Sequence, residues 1–181
     1  MRRLAAFALA AAFAFAPTAA VPALREGARA PDFTAMGALG GRPFRVRLSE
    51  LLRRGPVVLY FYPQAYTQGC TLEARAFSQA AAQFRRAGAR VIGLSADNLD
   101  TLRRFSVEEC RSAFPVANAT PATIEAYDVA LGDGTPRSNR TSFVIAPNGR
   151  IVYAHSERDW REHVSNTLAA VRRLQPRRRG R

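Results

Sequence analysis

The chain of 181 residues has no lysine, two cysteines, two histidines and one tryptophan. A zinc site of four Cys/His ligands would consume all of these cysteines and histidines, at spacings that match no zinc motif. So few cysteines exclude a disulfide-rich miniprotein. A composition 48% hydrophobic and 23% charged excludes a disordered chain or a collagen. Acidic residues are also scarce: 14 Asp and Glu against 27 Arg leave a formal charge of +13. An all-arginine basic set in an alanine-rich chain reads as nucleotide bias in the genome. Its pairs at 53–54, 85–86, 103–104 and 172–173 are dispersed at helix ends rather than gathered with aromatics into one stripe. No nucleic-acid groove is therefore expected. The length fits one domain, large enough to bury a core.

A long hydrophobic run occurs at the N-terminus. Met1-Arg2-Arg3 precedes thirteen uncharged residues, Leu4 to Ala16, and Thr18-Ala19-Ala20 offers the small residues a signal peptidase reads. Residues 1–20 are expected to be a secretory signal. An uncleaved membrane anchor is the alternative, since no charge follows until Arg25. Pro17 and Pro22 interrupt the run, however, and a span needs about 20 apolar residues. No cysteine near the cut offers a lipid attachment point. The expected product is exported, periplasmic and free of stable membrane association once cleaved, in a compartment that permits a disulfide. Residues 176–181 form a basic tail, expected to be solvated, with contact to anionic lipid as the alternative. The folded domain then spans residues 21–175.

Within that domain, strand and helix patterns alternate. Pro56-Val57-Val58-Leu59-Tyr60-Phe61-Tyr62 is a continuous apolar run closed by Pro63, as in a buried central strand. From Thr71 to Ala87, Leu72, Phe77, Ala80, Ala81 and Phe84 recur at helical spacing, with Arg85 and Arg86 in the last turn and Gly88 as the stop. Arg90 to Leu94 reads as a second buried strand. Asp97 or Asn98 can cap a helix running to about Arg111 with Leu102 and Phe105 inward. Thr141 to Ala146 and Gly149 to Ala154 form a hairpin, and Trp160 to Leu174 a final amphipathic helix. These elements predict an α/β fold, a mixed sheet with helices on both faces.

Cys70 is the residue that invites chemistry. It is expected to open the helix of Thr71 to Ala87, where unpaired N–H groups and the helix dipole favour thiolate, the nucleophilic form. Gly69 permits close backbone approach and Thr67 can aim a hydroxyl at the same point. On context alone, a buried inert cysteine stays open as the alternative. His155 and His163 have no third ligand at useful spacing, and surface or half-buried histidines are expected. Trp160 reads as a packing anchor.

Pro63-Gln64-Ala65-Tyr66-Thr67-Gln68-Gly69-Cys70-Thr71-Leu72-Glu73 resembles the active-site loop of peroxiredoxins: Pro, three residues, Thr or Ser, two residues, Cys. Its Gly-Cys-Thr-x-Glu continuation is similar to the bacterioferritin-comigratory-protein (PrxQ) branch. Gly27 to Phe33 resembles the family's opening, and Gly93-Leu94-Ser95-Ala96-Asp97 its strand-to-helix turn. Ala126-Tyr127-Asp128-Val129 matches Ala-Tyr-Gly-Val with one change, and Arg140 to Ile145 the late arginine-bearing strand. The resemblance covers about Gly27 to Leu174. It implies a thioredoxin-like fold and thiol-dependent reduction of hydrogen peroxide and small organic hydroperoxides. Cofactors such as metal, flavin or haem are not implied, and reducing equivalents would come from a thioredoxin-like dithiol. By resemblance, Cys70 is the peroxidatic nucleophile, Thr67, the Cys70 N–H and Arg140 are donors to the peroxide, and Pro63 shields the sulfur. Thr67 as a mere helix cap and Arg140 as a surface residue are the bland alternatives; Glu73 is given a structural role, accepting from backbone N–H. A monomer or a homodimer is compatible with all of this.

The sequence also departs from that branch. Arg75 stands five residues after Cys70, where a resolving cysteine is usual, Gln68 replaces a usual Pro, and Gln64-Ala65-Tyr66 a more typical Lys-Asp-Phe. Cys110, forty residues downstream near the end of the second helix, is placed like the resolving cysteine of the thiol-peroxidase branch. Three readings stay open: Cys110 resolves the Cys70 sulfenic acid, lies inert while an external thiol completes the cycle, or is stapled permanently to Cys70. The rivals in function are a redox sensor or binding protein on the same fold, and a thiol–disulfide oxidoreductase. The latter chemistry wants Cys-x-x-Cys, and Cys70 has no such neighbour; a copper chaperone wants Cys-x-x-x-Cys and a histidine, likewise absent.

Overall fold

The structure is a computed structural model that describes residues 23–175. The expected signal of residues 1–20 and the basic tail of 176–181 lie outside the described residues. The elements are β1 Thr34–Leu39, β2 Arg42–Arg47, α1 Leu48–Leu52, β3 Val57–Phe61, α2 Gln68–Arg86, β4 Arg90–Ser95, α3 Leu99–Glu108, β5 Val116–Asn118, α4 Pro121–Ala126, β6 Thr141–Ile145, β7 Ile151–Ser156 and α5 Arg161–Arg173. Seven strands form one sheet in the order β2-β1-β5-β4-β3-β6-β7. Inside it, β3 is parallel to β4 and antiparallel to β6, so the sheet is mixed.

Every residue of β3 is buried, which is why its sequence is continuously apolar rather than alternating. Successive side chains divide between two layers. Val57, Leu59 and Phe61 pack with Leu48 and Leu52 of α1 and Ile124 of α4. Val58 and Tyr60, followed by Tyr62, pack with Phe77 and Phe84 of α2, Phe105 of α3, and Leu168 and Val171 of α5. Helices thus cover both faces. Gly93 of β4 makes room for the Tyr60 ring, since a Cβ there would lie 2.8 Å from its Cζ and hydroxyl oxygen.

Some boundaries differ from the sequence expectation. Helix α2 begins at Gln68 with Thr67 at the N-cap position, so Cys70 lies inside the first turn rather than opening the helix. Helix α3 stops at Glu108, short of Arg111, and Cys110 lies just past its C-cap, Glu109. Beyond the cap, Arg111 and Ser112 take left-handed conformations (φ 50° and 55°) and turn the chain away from the helix. Asp128, in place of a glycine in Ala126-Tyr127-Asp128-Val129, sits at φ 52°, a conformation aspartate tolerates better than most residues. The β1–β2 hairpin, α1, β5 and α4 were not expected. Among the described residues, no helix is long and apolar enough to cross a membrane.

Candidate active site

The chain leaves β3 and crosses to α2 over a loop held from three sides. Ala65 N–H donates to Asp97 Oδ2 at 2.8 Å, and Ser95 Oγ donates to the same oxygen at 2.7 Å. Ser138 Oγ donates to the Tyr62 carbonyl at 3.1 Å, and Arg137 Nη1 to Gln64 Oε1 at 3.2 Å. Tyr66 takes a left-handed φ of 64° and its hydroxyl donates to Glu108 of α3 at 2.7 Å. Burial and that bond push the Tyr66 phenol up to about 12. Asn98 caps α3 through Oδ1, accepting from Thr101 N–H at 2.9 Å, which leaves Asp97 free to hold the loop.

Cys70 is 2% exposed, in the first turn of α2. Arg140, just before β6, reaches it: Nη2 donates to Cys70 Sγ at 3.5 Å, Nε donates to the Arg158 carbonyl at 2.9 Å, and Nη1 donates to Glu73 Oε2. The guanidinium is therefore fixed on three sides and is 8% exposed, not a surface residue. Burial opposes its charge, but Glu73 and Cys70 beside it raise its pKa nonetheless, so it stays a cation. Gly69 is needed for this approach, because a Cβ there would lie 3.0 Å from Arg140 Nη2. Its smallness serves the guanidinium rather than the sulfur. Thr67 makes no side-chain cap bond; its Oγ1 donates to the Gln64 carbonyl at 3.0 Å. Pro63 is half-buried at the start of the same loop.

Glu73 does not serve the helix backbone as expected. It is fully buried, and its carboxyl faces Arg140 and His163. Burial raises it to about 8, against the pull of Arg140. The spacing could have revealed it, since residues three apart on a helix share a face and Cys70 stands three before Glu73. His163 is likewise corrected: it is fully buried rather than at the surface. Its Nδ1 lies 2.8 Å from Ser142 Oγ and 3.7 Å from Glu73 Oε1. Among the described residues, no three His, Cys, Asp or Glu side chains gather as a metal site.

Cys110 is fully buried and both cysteines are free, so the permanent staple is not formed. Burial, and then the charge of Glu109, push the Cys110 thiol up. Cys110 shares one apolar cluster with Cys70, and both sulfurs lie within electrostatic reach of the Tyr60 and Tyr62 phenols. Arg75, in the place of the usual resolving cysteine, donates through Nε to Glu109 at 2.6 Å, tying α2 to the segment that carries Cys110. The fold thus joins Cys70, Arg140 and Glu73 directly, sets Thr67 and Pro63 on the adjoining loop, and leaves Cys110 buried and unbonded in the same apolar cluster as Cys70.

The model of the AhpC/TSA family matches residues 27–154. Peroxiredoxin Bcp of Xanthomonas campestris is 31% identical over 122 residues, 64% of this chain and 76% of its own length. Chloroplastic peroxiredoxin Q of Oryza sativa subsp. japonica is 33% identical over 156 residues, 82% of this chain and 67% of its own. Among solved structures, peroxidoxin BcpB of Mycobacterium tuberculosis superposes with a TM-score of 0.73 at 31% identity, covering 84% of this chain and 99% of that one. With its thiol and guanidinium in contact at the start of α2, the chain belongs to the AhpC/TSA family as a peroxiredoxin of the Bcp/peroxiredoxin Q kind, a thiol-dependent peroxidase.

Proposed function

We propose that Cys70 is the peroxidatic residue of this enzyme, on the strength of the 3.5 Å contact between its sulfur and the Arg140 guanidinium in the first turn of α2. The Cys70 thiolate attacks the terminal oxygen of a hydroperoxide. The O–O bond breaks, Cys70 becomes a sulfenic acid, and water or an alcohol leaves after taking one proton. Negative charge moves onto the departing oxygen, so donors fixed around it lower the barrier. Arg140 and the first-turn N–H groups supply them, and the Thr67 hydroxyl joins them on turning from the Gln64 carbonyl to which it donates at rest. Cys70 is only 2% exposed, which favours hydrogen peroxide and small organic hydroperoxides over bulky ones.

Cys110 then resolves the sulfenic acid: its sulfur bonds to Cys70 and water departs, leaving a disulfide that an external thioredoxin-like dithiol reduces. Both thiols are buried and unbonded, and a disulfide needs Cα atoms within about 7 Å, so the proposal includes local opening of the first turn of α2 or the segment after α3. The consecutive left-handed Arg111 and Ser112 favour opening there, since non-glycine residues hold that conformation at a cost. Full burial of Cys110 favours the second reading, a one-cysteine cycle finished by an external thiol. We further propose that residues 1–20 act as a secretory signal and that the enzyme is periplasmic once they are removed, a reading supported by Arg2-Arg3 followed by the uncharged run from Leu4 to Ala16.

Cys70→Ser is expected to eliminate peroxide consumption in dithiothreitol; retained activity would overturn the assignment. Intact mass and thiol counts after one equivalent of peroxide decide between the two cycles. Loss of two thiols supports resolution by Cys110, and loss of one with a trapped sulfenic acid rejects it.

A further inference from the structure

The arginine pairs that lie scattered along the sequence meet in the fold. Helix α2 ends at Arg85 and Arg86, and α5 ends beside it, with Arg172 Nη2 donating to Gln83 Oε1 at 3.0 Å. Arg86 and Arg172 line one shallow hollow. The turn before β3 adjoins the group from the other side: Arg90 Nη1 donates to the Arg54 carbonyl at 2.9 Å, where the Gly55 and Gly88 backbones pass close. Arg53, Arg54, Arg85, Arg86 and Arg172 are exposed and Arg90 is half-buried. Arginines from three of the four pairs therefore share one end of the molecule. Arg173 lies within electrostatic reach of the Tyr153 phenol, as do Glu26 and Glu162.

Little offsets this charge. Arg47, Arg75, Arg103, Arg137, Arg140 and Arg161 each hold an acidic partner. Among the described residues no carboxylate pairs with any of the six at this end; Arg85, for example, donates to the Ala113 carbonyl at 3.4 Å. Glu50 is the only acid within five residues of any of them in the chain. Between the arginines opens an apolar cleft of about 250 Å³, lined by Leu39, Phe44, Leu51 and Phe84 together with Arg85 and Arg90. Leu39 is 40% exposed there. A partner must then carry anionic groups with apolar surface directly beneath them, which is the layering of a bilayer with anionic headgroups. Single-stranded nucleic acid asks instead for exposed aromatics on which bases stack, and Phe84 is fully buried. Beyond Gln175, which follows α5 at this end, the sequence adds Arg177, Arg178, Arg179 and Arg181.

We propose that this end of the molecule is a docking surface for an anionic phospholipid bilayer: the arginines take the headgroup phosphates and the cleft takes apolar lipid surface. The contact is peripheral and salt-sensitive, unlike a spanning anchor. It leaves Cys70 far from the lipid, because Arg85 follows Cys70 by fifteen residues of one helix, about 22 Å. It does not depend on the chemistry assigned to Cys70.

Co-sedimentation of the full chain with vesicles tests it, using phosphatidylcholine alone and an equal mixture with phosphatidylglycerol. The apolar run from Leu4 to Ala16 can hold both kinds of vesicle, so the reading is the preference for the anionic ones. Wild type is expected to prefer them by about 100-fold or more at ~0.1 M salt, and to lose that preference as salt rises. Each arginine near an anionic surface contributes about fivefold, so Arg85→Gln/Arg86→Gln should cut the preference about 25-fold. Arg158→Gln/Arg161→Gln removes the same formal charge at the opposite end of α5, ~20 Å and about two Debye lengths away, and should cut it less than about twofold. Equal losses in the two variants, or no preference in wild type, overturn the proposal. Duplex DNA at equal phosphate concentration should leave the chain on the vesicles; displacement would make the surface a general polyanion site and overturns the proposal too. Amide hydrogen exchange of the bound chain locates the contact without any substitution. Slowing is expected at residues 53–55 and 85–90, and slowing at residues 64–70 instead would put the lipid at the wrong end.

Discussion

Cys70 and Cys110 share one apolar cluster and the Tyr60 and Tyr62 phenols, and differ in the helix ends and charges beside them. Cys70 lies at the start of a helix, where free N–H groups and the dipole favour negative charge, with an arginine turned onto its sulfur. Cys110 lies past the end of a helix, where carbonyls and the dipole disfavour it, beside the acidic Glu109. Burial does not distinguish the two thiols; helix polarity and the sign of the neighbouring charge do, and this difference is what supports the proposal that Cys70 meets the peroxide first.

The arginine is the sharpest test of that contrast. Arg140→Met keeps much of the side-chain volume and removes every donor, so kcat/KM for hydrogen peroxide should fall about 10²–10³-fold. Arg140→Lys restores charge without the planar fork that reaches Cys70, Glu73 and the Arg158 carbonyl together, and should recover less than a tenth of the loss. If Arg140→Met stays within a few-fold of wild type in a peroxide-consumption assay, the electrostatic distinction between the two thiols is wrong.

The other side of the contrast is tested at Arg75. Its bond to Glu109 pins the segment that Cys110 must leave, but the arginine is half in solvent, so the pair contributes at most about 1 kcal/mol. Arg75→Ala should then speed disulfide formation after peroxide by up to ~5-fold, timed by acid-quenched thiol counts. A rate equal to wild type would mean that opening is governed elsewhere, for example by the Tyr66–Glu108 bond on the same helix end.

Much of this contrast was legible in the sequence, and the illegible part has physical causes. The run Val57 to Phe61 pointed to a strand buried on both faces; by resemblance the loop from Pro63 to Glu73 singled out Cys70 and the strand from Arg140 to Ile145 singled out its arginine, and the fold brings these two side chains together. The hairpin of β1 and β2 was missed because Thr34–Leu39 is built from Ala, Gly and Met, and Pro43 interrupts its partner; neither has a strand former's profile. β5 and α4, of three and six residues, are too short to show a period. In α5 the expected face of Val164, Leu168, Val171 and Leu174 does pack against the core, and the buried face is wider than expected, taking in His163, Thr167 and Ala170 as well. Glu73 meets His163 across ninety residues of chain, a contact no local pattern announces. Arg75 could be seen as a missing cysteine, but its clamp on Glu109 needed the fold.

The smallest expected effect concerns stability rather than rate, and it too should belong to the Cys70 side alone. Glu73 is raised in the fold from 4.5 to about 8, so between those values the folded chain binds more protons than the unfolded chain, and stability falls as pH rises. His163 is lowered from 6.5 to about 4, so between those values the unfolded chain binds more, and stability rises with pH. From pH 4.5 to 6.5 the two oppose each other; from 6.5 to about 8 only the Glu73 contribution remains. The melting temperature should therefore decline across that upper window, by about 2–4 °C if the contribution is near 1 kcal/mol. Glu73→Gln should flatten the decline and Cys110→Ala should leave its slope alone, because the raised Cys110 thiol stays protonated throughout the window. A slope that follows Cys110 instead would place the titrating charge on the wrong side of the molecule and undo the contrast between its two thiols.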